Sequence, residues 1–145
     1  MIRVFTMGFT KKNAEEFFTI LKDHGVRKLI DIRLNNRSQL AGFTRGDDLK
    51  YFLKELAGIE YEHNLELAPT KELLKKYQRK EISWKEYEEE FRETLESREG
   101  LRSINQKDFD MSCLLCSEAT PEKCHRRLVA EFIKADNEDV EVIHL

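Results

Sequence analysis

The sequence is poor in long apolar runs and in cysteine, and each shortage argues against a class of protein. No stretch approaches the roughly 18 consecutive apolar residues that a membrane-spanning helix requires. The first residues, MIRVFTMGFTKK, lack the pattern of a signal peptide and read as a strand. Three cysteines, an odd number, fit a reducing interior better than a disulfide scaffold. We therefore expect a cytoplasmic protein with no membrane partner.

A strong excess of one charge is also lacking. The net charge is −3 and the sequence pI is about 5.9, whereas proteins that coat nucleic acid non-specifically are usually strongly basic. A locally basic pocket is still compatible with this balance, because net charge does not describe distribution. Hydrophobic residues make up 40% of the 145 residues, enough for one ordered domain with a hydrophobic core.

Apolar runs separated by turn-forming residues predict alternating strands and helices. Strands are predicted at residues 2–7, 26–33, 59–63, 109–116 and 139–145. Helices are predicted from a Thr10 cap to about His24, from Asp47 or Asp48 to Gly58, after Thr70, after a Ser83 capping box and after a Thr120 cap with Pro121 in the first turn. The pattern predicts a single three-layer α/β domain over residues 1–145, with an open, mainly parallel sheet of about five strands and helices on both faces.

Polar residues follow four of the predicted strands at the point where each strand ends. They are Thr10 after the first strand, Asp31 and Arg33 at the end of the second, His63 at the third, and Cys116 with Glu118 at the fourth. Ligands of open α/β sheets bind outside the carboxyl ends of the strands. We therefore expect these side chains to lie together at the carboxyl edge of the sheet, which we call the rim.

The helix after the fourth strand contributes a second set of polar residues to this rim. His125 falls near the centre of the face that packs on the sheet, and Cys124 and Arg126 flank it. The first turn of a helix offers unpaired N–H groups and a positive dipole end, which favour anions and lower the pKa of a nearby thiol. The sequence predicts an anion-receptive pocket that contains at least one activated cysteine.

Cys113 needs a different interpretation. It lies in the middle of the predicted strand, where a small core residue is the simpler assignment. Cys113 and Cys116 followed by Cys124 and His125 superficially resemble a zinc quartet, but residues three apart on a strand point to opposite faces. A zinc site made by Cys116, Cys124 and His125 is the better alternative. The sequence contains no Gly-rich nucleotide fingerprint and no Cys-x5-Arg phosphate loop, and no cofactor is predicted.

The combination of these blocks resembles the domain of unknown function 488 family. The matching residues are Gly8-Phe9-Thr10, Asp31-Ile32-Arg33, Ser38 and Phe43 in the next loop, Tyr61 and His63, and the terminal LLCSEATPEKCHRRLVA. The resemblance implies a compact α/β fold with these residues in one cleft, and it leaves the biochemical role open. It carries over seven candidate positions: Asp31, Arg33, Cys116, Glu118, Cys124, His125 and Arg126.

The sequence departs from the family pattern at three places. Phe9 stands where the family usually has a histidine, so no proton transfer by that histidine is available here. Asn36 replaces a proline that usually follows the Asp-x-Arg block, and Leu67-Ala68-Pro69 replaces a Leu-Gly-Gly sequence.

The leading functional hypothesis is a thiol- and histidine-dependent enzyme that acts on an anionic, phosphate-bearing substrate, either a nucleotide or a nucleic acid. Cys116 or Cys124 is the predicted thiolate, His125 the general acid or base, and Glu118 its orienting partner. Arg33 and Arg126 form the predicted anion clamp, and the remaining predicted ligand-binding residues are Thr10, Asp31, Ser38 and His63. The alternatives are a non-catalytic module that binds an anion or nucleic acid, and the zinc site.

Overall fold

The computed structural model describes residues 1–37, 42–116 and 124–145. The strands are β1 (Ile2–Gly8), β2 (Lys28–Asp31), β3 (Glu60–His63), β4 (Ser112–Cys116) and β5 (Val140–His144). They form one five-stranded sheet in the order β3-β2-β4-β1-β5, and all of its neighbouring pairs are parallel. The predicted open, parallel sheet is confirmed.

Helices cover both faces of this sheet. They are α1 (Ala14–Asp23), α2 (Gly46–Phe52), α3 (Lys71–Gln78), α4 (Trp84–Ser97) and α5 (His125–Lys134). The apolar residues of α1 and α2 belong to one core cluster, and those of α3, α4 and α5 belong to the other. The predicted three-layer α/β architecture is therefore confirmed. None of the helices in the described part of the chain combines the length and the apolar character that crossing a bilayer requires.

Strand β4 is buried along its whole length and contributes to both cores. Because successive side chains of a strand point to opposite faces, Cys113 and Leu115 join the α1–α2 cluster while Leu114 joins the other. This continuous apolar run is what a strand covered on both faces requires.

The direction in which the chain leaves the sheet reverses on both sides of β4. After β1 and β2 the chain continues to helices on one face, whereas after β4 it continues to α5 on the opposite face. Ligands of doubly wound sheets bind at such reversals. Cys116, the last residue of β4, pairs in register with Gly8 of β1, and its neighbour Leu115 pairs with Asp31 of β2.

Several helix boundaries differ from the prediction. Thr10 does not cap α1, because Asn13 occupies that position: its side chain accepts a hydrogen bond from the Glu16 backbone N–H at 2.8 Å, and the Glu16 side chain reaches back to Asn13. A turn with Lys11 at a positive φ of 66° separates β1 from this cap. The predicted caps Thr70 and Ser83 are confirmed at α3 and α4.

Two further corrections concern α2 and α5. The helix predicted to run to Gly58 ends as α2 at Phe52 and is followed by one π-helical turn at Leu53–Ala57, in which Leu56 is 54% exposed. The helix α5 begins at His125, later than predicted, with Cys124 in extended conformation as its N-cap residue. Thr120 and Pro121, predicted to open this helix, lie outside the described residues.

Candidate functional site

Cys116 and Cys124 lie against each other at the carboxyl edge of the sheet. Their sulfur atoms are in disulfide contact, and their Cα atoms are 7.4 Å apart. Strand β4 delivers Cys116 as its final residue, and α5 delivers Cys124 as its N-cap residue. Both residues are buried, with exposed fractions of 1% and 4%. The sequence presents these thiols as alternatives, whereas the fold makes them a pair.

Arg126 places a positive charge directly on this pair. Its side chain is fully buried, and its Nη1 atom donates to the Cys116 sulfur at 3.4 Å. A guanidinium group at this distance favours the thiolate over the thiol. The prediction that Arg126 lies in the same pocket as Cys116 is consistent with this contact.

Lys12 is a second cation near Arg126, and sequence reasoning missed it. Its Nζ atom donates to the Gly8 carbonyl oxygen at 2.9 Å, which folds the side chain back over the end of β1. Burial lowers the pKa of Lys12, and the positive charge of Arg126 lowers it further. The signal available in the sequence is the lysine four residues after the glycine that ends the first strand. Thr10, the residue predicted to bind ligand here, is exposed.

Asp31 and Arg33 form a buried, two-point ion pair at the end of β2. The Arg33 Nε atom donates to Asp31 Oδ1 at 2.8 Å, and Nη2 donates to Oδ2 at 2.7 Å. The Arg33 backbone N–H and the Tyr61 hydroxyl also donate to this carboxylate, at 3.2 and 2.6 Å. Because both carboxylate oxygens are engaged, Asp31 holds Arg33 in place rather than offering a proton acceptor to a ligand.

The Arg33 guanidinium also contacts residues outside this ion pair. Nη2 also donates to the Thr44 carbonyl oxygen at 2.6 Å, and the guanidinium carbon lies 5.4 Å from the centre of the Phe9 ring. Phe9 thus provides an aromatic face for a cation. Nη1 of Arg33 is buried and has no hydrogen-bond partner among the described residues. A buried donor of this kind is suited to an oxygen atom of a ligand.

Tyr61 and Asn36 complete the support of this ion pair. The Asn36 Nδ2 atom donates to the Tyr61 hydroxyl at 2.9 Å, and that hydroxyl donates to Asp31. Burial raises the pKa of Tyr61, and its hydrogen bond to Asp31 raises it further. Gly46 makes room for this arrangement, since a Cβ atom there would lie 2.5 Å from Asn36 Nδ2. Asn36 therefore belongs to the hydrogen-bond network that supports Asp31 and Arg33.

Both histidines near the rim donate to backbone carbonyls just after β2. The His125 Nε2 atom lies 2.8 Å from the Ile32 carbonyl oxygen, and the His63 Nε2 atom lies 2.7 Å from that of Arg33. Since a carbonyl only accepts, each Nε2 carries a hydrogen. Burial lowers the pKa of His125 to about 4, so this ring is neutral near neutral pH. Its edge also packs on the Phe91 ring of α4, with centroids 5.8 Å apart.

Four sequence predictions remain outside this geometry. Ser38 and Glu118 lie outside the described residues. Cys113 is a fully buried core residue, and burial raises its pKa to about 12, so it stays a thiol. The alternative zinc site stays a prediction: within residues 1–37, 42–116 and 124–145, no three His, Cys, Asp or Glu side chains are grouped so that they could hold a metal ion.

The fold and the rim together define a doubly wound α/β protein with cationic side chains and a cysteine pair beside its central strand. The family model described as Domain of unknown function DUF488 matches residues 13–133, and the chain belongs to this family. No match was found among curated proteins or among solved structures.

Proposed function

We propose that this protein is a thiol-dependent enzyme that acts on an anionic, phosphate-bearing substrate of the nucleotide or nucleic-acid class. In its reduced form Cys116 is the nucleophile. The observation that carries this proposal is the buried Arg126 guanidinium, whose Nη1 atom lies 3.4 Å from the Cys116 sulfur. A cysteine attacks as its thiolate, and a neighbouring buried cation stabilises that form.

The charges around Cys116 support an anionic substrate. Asp31 compensates the charge of Arg33. Burial lowers the pKa of Lys12, and the like charge of Arg126 lowers it further. A phosphate group placed between these two cations would relieve their repulsion. The buried Nη1 atom of Arg33 offers a further donor on the other side of β4.

His125 is the proposed general base. Its lowered pKa keeps the ring neutral near neutral pH, and its Nδ1 atom holds the lone pair because Nε2 donates to Ile32. A neutral imidazole accepts a proton, whereas an acid role would require the charged ring. Glu118 as the orienting partner, and Thr10, Ser38 and His63 as ligand-binding residues, remain part of the proposal on the sequence evidence.

Alkylation by iodoacetamide across pH tests the activation of Cys116. In the reduced protein we expect Cys116 to react at a pH below about 8.5, the reference value for a free thiol, with the site identified by peptide mass spectrometry. Arg126→Gln should move the reaction to higher pH, and circular dichroism should report whether the variant folds. A Cys116 thiol that resists alkylation, or that titrates at the reference value in the wild type, would contradict an enzymatic nucleophile.

Protection by inorganic phosphate tests the anion site. We expect phosphate to slow alkylation of Cys116 in the wild type, and Lys12→Gln to weaken this protection. Lys11→Gln is the matched control, because Lys11 is exposed and adjacent in the chain. Equal protection in both variants would remove Lys12 from the site.

The second candidate is a binding module for the same anion without turnover. It is favoured by the burial of both rim cysteines and by the hydrogen bonds of both histidines to backbone carbonyls. Protection by phosphate combined with an unactivated Cys116 would select this candidate over the enzyme.

A further inference from the structure

We propose that Cys116 and Cys124 are a reversible dithiol–disulfide couple that peroxides oxidise and dithiol reductants restore. This inference rests on the contact between the two cysteines and on Arg126, and it does not depend on turnover of a phosphate-bearing substrate. The couple makes the rim a redox-responsive site.

The fold brings these two cysteines, and not Cys113, into contact with each other. They are eight residues apart in the chain, one at the end of β4 and one at the start of α5, and the fold brings their sulfur atoms together. Their Cα separation of 7.4 Å exceeds the roughly 4.4–6.8 Å that disulfides usually span, so closing the relaxed bond requires the backbone to move. Cys113 is excluded from the pair because it is a free cysteine in the middle of β4, within the core cluster of α1 and α2.

Arg126 makes Cys116 the cysteine that is oxidised first. Its Nη1 atom donates to the Cys116 sulfur, which favours the thiolate, and the thiolate is the form that peroxides oxidise. The thiolate attacks one peroxide oxygen, the O–O bond breaks, and the leaving hydroxide or alkoxide takes up a proton. Cys116 is then a sulfenic acid.

Cys124 completes the reaction as the resolving thiol. Its sulfur attacks the sulfur of the Cys116 sulfenic acid, the S–S bond forms, and the sulfenic oxygen leaves as water. In total the two thiols lose two electrons and two protons, and the peroxide is reduced to water and an alcohol or a second water. A dithiol reductant reverses the step by thiol–disulfide exchange and becomes a disulfide itself.

Oxidation changes what the rim offers to a ligand. The disulfide removes the Cys116 thiolate and ties the end of β4 to the residue that precedes His125 and Arg126. In a reducing compartment, disulfides of this kind are typically transient and redox-sensing.

Peroxide treatment of the full chain tests the couple. After reduction and removal of the reductant, hydrogen peroxide should lower the number of free thiols from the three in the sequence to one, and dithiothreitol should restore them. Peptide mapping should find Cys116 joined to Cys124. The same treatment in urea should form this link more slowly, because the unfolded chain lacks the contact. Three free thiols after treatment, a link that involves Cys113, or an equal rate in urea would overturn the inference.

Single-cysteine variants assign the roles. In Cys124→Ser, we expect Cys116 to stop at the sulfenic acid, which dimedone labels, whereas Cys113→Ser should form the disulfide as the wild type does. The opposite result would be dimedone labelling of Cys124 in Cys116→Ser and no labelling of Cys116 in Cys124→Ser. It would make Cys124 the cysteine that is oxidised first. The wild-type mapping does not depend on the folding of either variant. If the disulfide forms but phosphate does not protect Cys116 from alkylation, this inference holds and the proposed substrate class is contradicted.

Discussion

At the scale of single residues, the Asp31–Arg33 pair shows how the protein keeps a charge in its interior. Both side chains are almost fully buried, and the carboxylate accepts hydrogen bonds from Arg33 and Tyr61. Removing one partner of such a pair leaves the other charge uncompensated, which costs far more than the pair itself contributes.

We therefore expect Asp31→Asn to lower the free energy of unfolding by about 3 kcal/mol. The carboxamide keeps the shape of the side chain but leaves the Arg33 charge without a counter-ion. Tyr61→Phe is the matched control, because it keeps the Asp31 charge and removes only the hydroxyl that donates to this carboxylate and accepts from Asn36, which should cost about 1 kcal/mol. Urea denaturation of both variants measures the difference, and equal losses would show that the charge of Asp31 is not what matters.

His125 gives a pH dependence whose direction follows from its environment. Burial lowers its pKa in the folded protein to about 4 from the ordinary 6.5. Between these values the unfolded chain binds a proton that the folded chain does not, so the free energy of unfolding falls as the pH is lowered through this range. The contribution of this single group is up to about 3 kcal/mol.

The variant His125→Gln should flatten this part of the pH profile, because glutamine retains an N–H donor for the Ile32 carbonyl but does not titrate. Denaturation curves between the two pH values give the comparison with the wild type. His24→Gln, which removes an exposed histidine on the end of α1, controls for the loss of a histidine elsewhere. An unchanged profile in His125→Gln would mean that the ring does not resist protonation.

At the scale of elements, the start of α2 is adapted to the loop that follows β2. The Gly46 N–H donates to the Asn36 carbonyl oxygen at 2.7 Å, and the Asn36 side chain occupies the space where a Cβ atom on Gly46 would lie. The close approach of these two residues couples α2 to the Tyr61–Asp31 network.

Gly46→Ala should therefore destabilise the protein by about 1–3 kcal/mol, since the new methyl group must displace Asn36 from Tyr61. Gly42→Ala is the control, because a Cβ atom at that position meets nothing within 4 Å. Thermal unfolding measures the melting temperatures of the two variants, and we expect that of Gly46→Ala to be lower. A similar melting temperature for both would show that Asn36 can move aside without cost.

At the scale of the whole molecule, the strand order predicts which strand is best protected against local unfolding. β4 has hydrogen-bonded neighbours on both sides and is buried along its length, whereas β3 and β5 are the edges of the described sheet. Opening free energies rise from frayed edges toward central elements.

We expect the backbone amides of β4 to exchange hydrogen most slowly and those of β5, which is partly exposed, to exchange faster. Hydrogen–deuterium exchange followed by mass spectrometry of peptides that cover the two strands measures this. Equal protection of β5 and β4 would contradict this prediction and would mean that β5 is not an open edge of the sheet.

Much of this architecture was accessible from local patterns. The strands β3 and β4 and the Ser83 capping box each depend on residues within one element, and each of these predictions is confirmed. Capping at Asn13 instead of Thr10 was missed because both residues can cap, and the choice depends on the turn at Lys11. The chemical roles predicted for the rim residues stay predictions.

The sequence by itself determined which elements form, that the sheet is parallel, and that polar side chains follow the strands, because these depend on short-range periodicity and turn chemistry. Only the tertiary structure decided that Cys116 meets Cys124, that Lys12 approaches Arg126, and that burial lowers the pKa of His125. The His125–Ile32 hydrogen bond joins residues 93 apart, and the Asn36–Tyr61 bond joins residues 25 apart. Contacts and burial at such separations arise from the packing of whole elements, so no local pattern specifies them.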